Sequence, residues 1–462
     1  MTYDVAAVRA LYPALADGWA YLDGAAGTQV PDSVIAAEGD AYRAGIGNHG
    51  GYFAASMRSD AITHAARAAI ADLVNAPSPH GVVLGPSTTA LVFRFADALA
   101  QTWREGDEIV VTRLDHDSNV RPWVQAAARV GVTVRWAEPV LPTLDLPASA
   151  VTDLIGPRTR LVAVTAASNV IGTRPDVRAI ADAAHAVGAL VYVDGVHATP
   201  HGVVDVASLG ADFYATSAYK WSGPHLAAVV AAPALLDELH PAKLDSVVDE
   251  APDRFERGTA PFAQQAGLAA AVDHLASLIS VADPGAAPGP GAGRRERLVA
   301  SMTAVEAYES ALLGRLIEGL TALPRVRRIG APSRQAPTIW FTVDGYHPDQ
   351  VAKACAAAGV NVWSGHNYAW ELAGFLGIRD SGSAVRASLS CYSTQDEVDR
   401  LVEVVSALPT TPPPTGSLSL ASLSAESLSM GSLSDGSSSD GSSSDGSSSS
   451  RPVGDGLPGG AV

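Results

Sequence analysis

A lysine and an aspartate stand at the ends of two successive aliphatic runs. Val191-Tyr192-Val193 leads into Asp194, Gly195, Val196 and His197, and Phe213-Tyr214-Ala215-Thr216 leads into Ser217, Ala218, Tyr219 and Lys220. In an open α/β sheet, ligands gather outside the carboxyl ends of the strands, so the acid and the amine point towards one site. A lysine amine condenses with an aldehyde to an imine, and a carboxylate keeps a pyridine nitrogen protonated so that the ring can accept electrons. Those are the needs of pyridoxal 5′-phosphate (PLP), carried by Lys220 as a Schiff base. Taken singly, Asp194 reads more readily as a helix N-cap and Lys220 as a solvated surface lysine. The pair, each placed after an aliphatic run, carries the reading.

Two further stretches fit the same site. Gly85 to Thr89 (GPSTT) is a turn of small residues between an aliphatic run and an Ala-rich helix expected over Leu91–Gln101. Backbone N–H groups at a helix start, with Ser and Thr hydroxyls, form an anion seat suited to a phosphate, although a plain N-cap would look the same. Asp115 to Asn119 (DHDSN) follows the run Glu108–Thr112 and puts His116 where it can lie over a flat ring.

The elements that must position these residues are also legible. Gly81–Leu84, Glu108–Thr112, Val132–Trp136, Leu161–Thr165, Leu190–Val193 and Phe213–Thr216 are short, β-branched-rich runs spaced to admit crossover helices. Val177–Val187 repeats apolar residues at three and four and stops at Gly188, which predicts a helix feeding the next strand. A mostly parallel sheet covered by helices on both faces follows. The stretch from Asp283 to Gly293 reads as a Gly/Pro loop. Beyond it, Arg294–Leu320 is helical, Pro337–Thr342 reads as a strand and Glu397–Leu408 as a closing helix. The expected divisions are an N-terminal segment (1–20) packed with the small domain, a large PLP-binding domain (21–282), the loop (283–295), a small α/β domain (296–408) and a Ser/Gly/Pro-rich tail (409–462) read as disordered.

Composition narrows the classes of function. The 462 residues carry a net charge of −17. Five acids against Arg451 after Pro409 carry −4 of it, leaving −13 on the rest. So acidic a chain argues against a nucleic-acid partner. Two cysteines, Cys355 and Cys391, lack metal-type spacing, and no metal site is expected. Without a basic-then-apolar leader or an uninterrupted run of about 18 apolar residues, a cytoplasmic protein with no membrane partner is expected.

The motifs resemble those of the class V aminotransferase family, in particular its cysteine desulfurase-like branch, over about Tyr21 to Leu408. Tyr21 to Ala26 (YLDGAA) is similar to the family's YLDNAA, with Gly24 where Asn is usual. Asp115 to Asn119 with Pro122-Trp123 is similar to EHHxN…PW, which places His116 on the histidine that stacks on PLP. Ser168 to Thr173 (SNVIGT) matches SNxxGT, whose Asn, here Asn169, bonds the cofactor's ring oxygen. Asp194 falls on the pyridinium partner and His197 takes the place of the usual Gln. Ser217 and Lys220 match SGHK, with Tyr219 where His is usual. Thr88, with Thr89 beside it, matches the phosphate-binding turn. Arg254 to Thr259 (RFERGT) is similar to RFExGT, so the resemblance implies a homodimer in which Thr259 reaches the neighbouring subunit's phosphate. Val385 to Leu389 (VRASL) implies that Arg386 grips the substrate carboxylate. Asn119 and Tyr368 are taken as further substrate contacts.

The departures bear on the reaction. Where the desulfurases carry a persulfide-forming cysteine, Ser364 to Ala369 (SGHNYA) has Tyr368, and the basic position five before it is Trp363. His49 to Phe53 lacks the Arg and second His often found there. The resemblance therefore implies a fold-type-I PLP enzyme acting at Cα of a small amino acid. His116, Asp194 and Lys220 are its catalytic candidates, with Lys220 the natural general base. The first expectation is a lyase cleaving a β-C–S or related bond without a persulfide cysteine. The alternatives are an aminotransferase or epimerase, a desulfurase using another thiol, and a non-catalytic protein of the same fold.

Overall fold

The computed structural model describes residues 3–410. The tail expected from 409 lies, from 411 onward, outside the described residues. Seven strands form the principal sheet: β1 (Val82–Gly85), β2 (Glu108–Thr112), β3 (Thr133–Ala137), β4 (Thr159–Thr165), β5 (Leu190–Asp194), β6 (Phe213–Ser217) and β7 (Ala227–Ala231). Their spatial order is β1-β7-β6-β5-β4-β2-β3. β7 is antiparallel to both neighbours, and the pairs from β6 through to β3 are parallel.

The aliphatic runs are continuous because the central strands are buried on both faces. Alternate residues feed different cores. Val110, Val162, Val164, Val191, Val193 and Tyr214 join one apolar cluster, whereas Ile109, Val111, Leu161, Ala163, Tyr192 and Phe213 join another. The exception is the edge strand β3, which alternates exposed and half-buried positions until Ala137.

A second sheet is antiparallel throughout: β8 (Val326–Ile329), β9 (Thr338–Val343), β10 (Trp363–Gly365) and β11 (Ala384–Ser388), in the order β10-β11-β9-β8. It sits over a third apolar cluster with Leu312, Leu316, Val398 and Leu401. The N-terminal segment contacts more than this small sheet. Val8 and Tyr12 join the core that takes in the large sheet, while Arg9 pairs with Glu397 at 2.8 Å and Ala20–Tyr21 pairs with Val360–Asn361. The described residues, 3–410, all belong to one compact unit.

The helices used below are α1 (Asp32–Ala44), α2 (Ala54–Val74), α3 (Thr88–Ala100), α4 (Arg121–Val130), α5 (Val177–His185), α6 (Phe262–Ala282), α7 (Arg294–Thr321), α8 (Pro348–Ala357), α9 (Trp370–Phe375) and α10 (Gln395–Ser406). Three differ from expectation. α3 begins at Thr88 rather than Leu91, because the Ser87 side chain caps it by accepting from the Ala90 N–H at 3.2 Å. α7 begins at Arg294 as expected but runs one residue past Leu320, to Thr321, and Pro284–Ala286 forms a 3₁₀ turn within the preceding Gly/Pro loop. α6 is long and apolar enough to cross a membrane by length and composition, despite the polar residues that interrupt it. In this protein it packs against α1, α2 and α7.

Candidate active site

The strand order brings the chemical residues together. Asp194 at the end of β5 lies in register with Thr165 of β4 and Ala215 of β6. Gly85 of β1 and Ser217 of β6 both pair with Ala227, one on either side. That closes the distance between two motifs far apart in sequence, and the Thr88 hydroxyl lies 2.7 Å from that of Ser217. Gly195, directly after Asp194, has no side chain because the Tyr214 ring occupies the space, 1.9 Å from where a Cβ would sit. Gly172, at φ +74°, turns the chain back so that its N–H reaches Ser168 O at 3.0 Å and Asn169 faces the site.

Thr88, Thr89, His116, Asn169, Asp194, His197, Ser217 and Lys220 all line one narrow cavity of about 60 Å³. It opens, through shared walls at His116, Asn169, Tyr219 and Lys220, into an outer chamber of about 410 Å³ that holds Tyr368 and Arg386. Two expected residues lie elsewhere. Asn119 is fully buried and lines neither space: its amide donates to Asp115 at 2.7 Å and accepts from the Trp123 indole at 3.1 Å, so both ends of the side chain are engaged within the core. Thr259 is exposed and lines a separate pocket with Gly85, Pro86 and Ala90 rather than its own chain's cavity. Residues not singled out beforehand also contribute. Thr165 was legible as the end of an aliphatic run, whereas Ser118 and His366 carried no comparable signal.

Burial sets the protonation of the site. The Lys220 amine is drawn down to about 8, first by burial and then by Arg386, with Asp194 opposing. Burial raises the Asp194 carboxyl, although the Val196 N–H at 2.9 Å and Lys220 favour its anion. The Arg386 guanidinium falls to about 10 through burial, with Asp23 opposing. It donates to the Asn169 carbonyl at 3.1 Å. His116 is pushed down to about 3 by burial and by the nearby Lys220 and Arg386, so its ring is neutral. Its Nδ1 accepts from the Ser118 N–H at 3.1 Å, which leaves the proton on Nε2. Behind the site, burial raises the Asp115 carboxyl to about 8 even though it accepts from Thr112 and Asn119.

These residues fit PLP. The capped start of α3 with the Thr88 and Ser217 hydroxyls suits a phosphate, and Asp194 suits a pyridinium. Two buried atoms of cavity-lining residues, Asn169 Oδ1 and His197 Nδ1, have no hydrogen-bond partner among the described residues. A polar group bound there would satisfy them. The other ends of these side chains are engaged, Asn169 Nδ2 by the Asn367 carbonyl at 2.7 Å and His197 Nε2 by the Thr338 hydroxyl at 2.8 Å.

Comparison with known proteins agrees with this geometry. The family described as aminotransferase class-V matches residues 20–283 and 297–401. The chain is 38% identical to the uncharacterized protein MT3887 of Mycobacterium tuberculosis over 88% of this chain and all of that protein. It is 33% identical to a cysteine desulfurase of Klebsiella pneumoniae subsp. pneumoniae over 87% of this chain and 97% of the relative. Among solved structures, the apo cysteine desulfurase of Thermococcus onnurineus superposes with a TM-score of 0.78 at 27% identity, covering 88% of this chain and 98% of that one.

Proposed function

The chain belongs to the class V aminotransferase family of PLP-dependent enzymes, and from that premise we propose that it is a β-C–S lyase acting on a small cysteine-type amino acid without a persulfide cysteine. The observation that carries this reading is the placement of the thiols. Cys355 and Cys391 are both buried, neither lines the cavity or the outer chamber, and burial pushes both thiols up to about 12. A sulfur acceptor must be a thiolate within reach of the substrate, and neither cysteine meets that need. At the loop position the resemblance assigns to such a cysteine stands Tyr368, which cannot carry a persulfide.

Thr88, Thr89 and Ser217 would hold the cofactor's phosphate, Asp194 its ring nitrogen, Asn169 and His197 its ring oxygen, and His116 would lie on its face. PLP supplies an electron sink that lets a bond to Cα break heterolytically. Arg386 pairs with the substrate carboxylate and so fixes which Cα bond faces the sink. Lys220, with its amine near 8, is substantially neutral in mildly basic solution and takes the Cα proton as general base. Loss of that proton, then of the β-thiolate, releases a thiol. With one water consumed, the remaining fragment becomes pyruvate and ammonium.

The proposal includes a homodimer in which the exposed Thr259 reaches the partner's phosphate site, and a reducing cytoplasmic setting, supported by two unpaired cysteines. The test is to incubate holoenzyme with S-alkyl cysteines and follow pyruvate, ammonium and thiol in equal amounts. Alanine with protein-bound persulfide would instead identify a desulfurase. Turnover that requires a keto-acid acceptor would identify an aminotransferase.

A further inference from the structure

Five rings line the outer chamber, those of His116, Tyr219, Trp363, His366 and Tyr368. Tyr368 stacks on His116 with centroids 5.1 Å apart at 28°, and His366 meets Tyr368 edge-on at 6.3 Å. On another part of the lining, Tyr219 stacks with His225 at 5.1 Å and 16°, and Lys220 Nζ lies 5.7 Å from the Tyr219 ring centre. Trp363 is placed by register: it pairs directly with Arg386 across β10 and β11, so both side chains stand on the same face of that sheet. Tyr219, Trp363, His366, Tyr368 and Arg386 all line the chamber.

The rings are held but not covered. Asn367 and Tyr368 take φ of +48° and +61°, and their carbonyls accept from Asn169 Nδ2 at 2.7 Å and from the Asp117 N–H at 2.8 Å. Glu371 at the start of α9 receives Arg121 at 2.6 Å and Arg113 at 3.1 Å. The backbone under Tyr368 is therefore pinned at both residues, yet Tyr368 as a residue is 66% exposed and Trp363 is 52% exposed. Large aromatic faces left open around a cavity next to the reacting amine have an unfilled partner. The charges of the chamber narrow what that partner is. Its lysine and arginine are Lys220 and Arg386, both already assigned, so a second carboxylate on the substrate would meet no further cation of that kind among the lining residues.

We propose that this chamber is a subsite for a neutral, planar aromatic group carried on the β-sulfur, making S-aryl or S-arylmethyl cysteines the preferred substrate class. The inference rests on the lyase reading for the identity of the bond cleaved. The subsite itself rests on the rings alone. Trp363 and Tyr368 are its specificity-determining walls, while Arg386 beside Trp363 anchors the carboxylate end of the same molecule.

The test is calorimetric binding to holoenzyme of L-homophenylalanine, which has a methylene in place of sulfur, against L-norvaline. Homophenylalanine is expected to bind about tenfold more tightly, in line with one or two ring contacts beyond burial. Trp363→Ala and Tyr368→Ala should each remove most of that ratio, and Tyr368→Phe should keep it. Both residues are exposed, so the variants should fold, and circular dichroism checks this. Equal binding of the two ligands by the wild type, or a preference that survives both alanine variants, overturns the subsite. Failure of the lyase reading is separable: S-phenyl-L-cysteine that releases no pyruvate while the binding preference persists would remove the reaction and leave the subsite standing.

Discussion

Lys220 is held where its charge is penalised. Its amine titrates near 8 in the fold against 10.5 for the free side chain, so between those values the unfolded chain binds more protons than the folded one. Stability of the apoprotein therefore rises with pH across this window and is lowest below 8, by about 3 kcal/mol for a shift of this size. Lys220→Met is expected to stabilise the apoprotein most at pH 6.5, with the advantage shrinking by more than half at pH 9.5, as read from urea midpoints. The same variant should fail to fix the cofactor on borohydride treatment. The thiols give a second expectation at this scale. Cys355→Ser with Cys391→Ser is expected to hold pyruvate release within about threefold of wild type, because neither thiol faces the substrate. Loss of turnover in a folded double variant would favour sulfur transfer through one of these two thiols.

Two elements do most of the positioning, the first turn of α3 and the loop before α9. At α3, Thr88 shares a hydrogen bond with Ser217 and faces the cavity from the end of the helix where the dipole favours an anion. Thr88→Ala is expected to weaken cofactor retention about tenfold, equivalent to about 1.4 kcal/mol, measured by dialysis against phosphate buffer. At the start of α9, Glu371 ties the preceding loop to the large sheet's surroundings through Arg113 and Arg121. Glu371→Ala should cost about 1 kcal/mol of stability. It should raise KM more than it lowers kcat, because the loop carries substrate-facing rings rather than the lysine.

For the whole molecule, Thr259 decides whether one chain holds a complete site. It is exposed and does not line its own chain's cavity. If it serves the partner's phosphate, Thr259→Asp and Lys220→Ala chains will each be inactive alone. Mixed by subunit exchange, they should regain about a quarter of wild-type activity, since half the dimers are mixed and each has one intact site. No recovery, in mixtures shown by sedimentation to have exchanged, would place Thr259 in a local role.

How much of this was legible without coordinates depends on the range of the interaction that fixes each feature. The strands were readable because burial on both faces demands unbroken aliphatic runs, Asp194 because it follows such a run directly and Lys220 because it stands just beyond the next one, after Ser217, Ala218 and Tyr219. Short-range capping was less legible: Ser87 moved the start of α3 by one turn, which a Ser-Thr-Thr sequence leaves open. Asn119 looked free in the sequence and is consumed by Asp115 and Trp123, since a buried amide takes whatever partners packing supplies. The meeting of Thr88 with Ser217 needed the antiparallel β7 between their strands, and the pairing of Trp363 with Arg386 needed the register of the small sheet. Sequence alone thus determined the family, the cofactor and the residues able to serve it, because those reside in residue types at short spacing. Tertiary structure decided which of those residues share a cavity, that both thiols lie outside it and that open rings line its mouth, because contacts between distant segments are set by sheet order and packing.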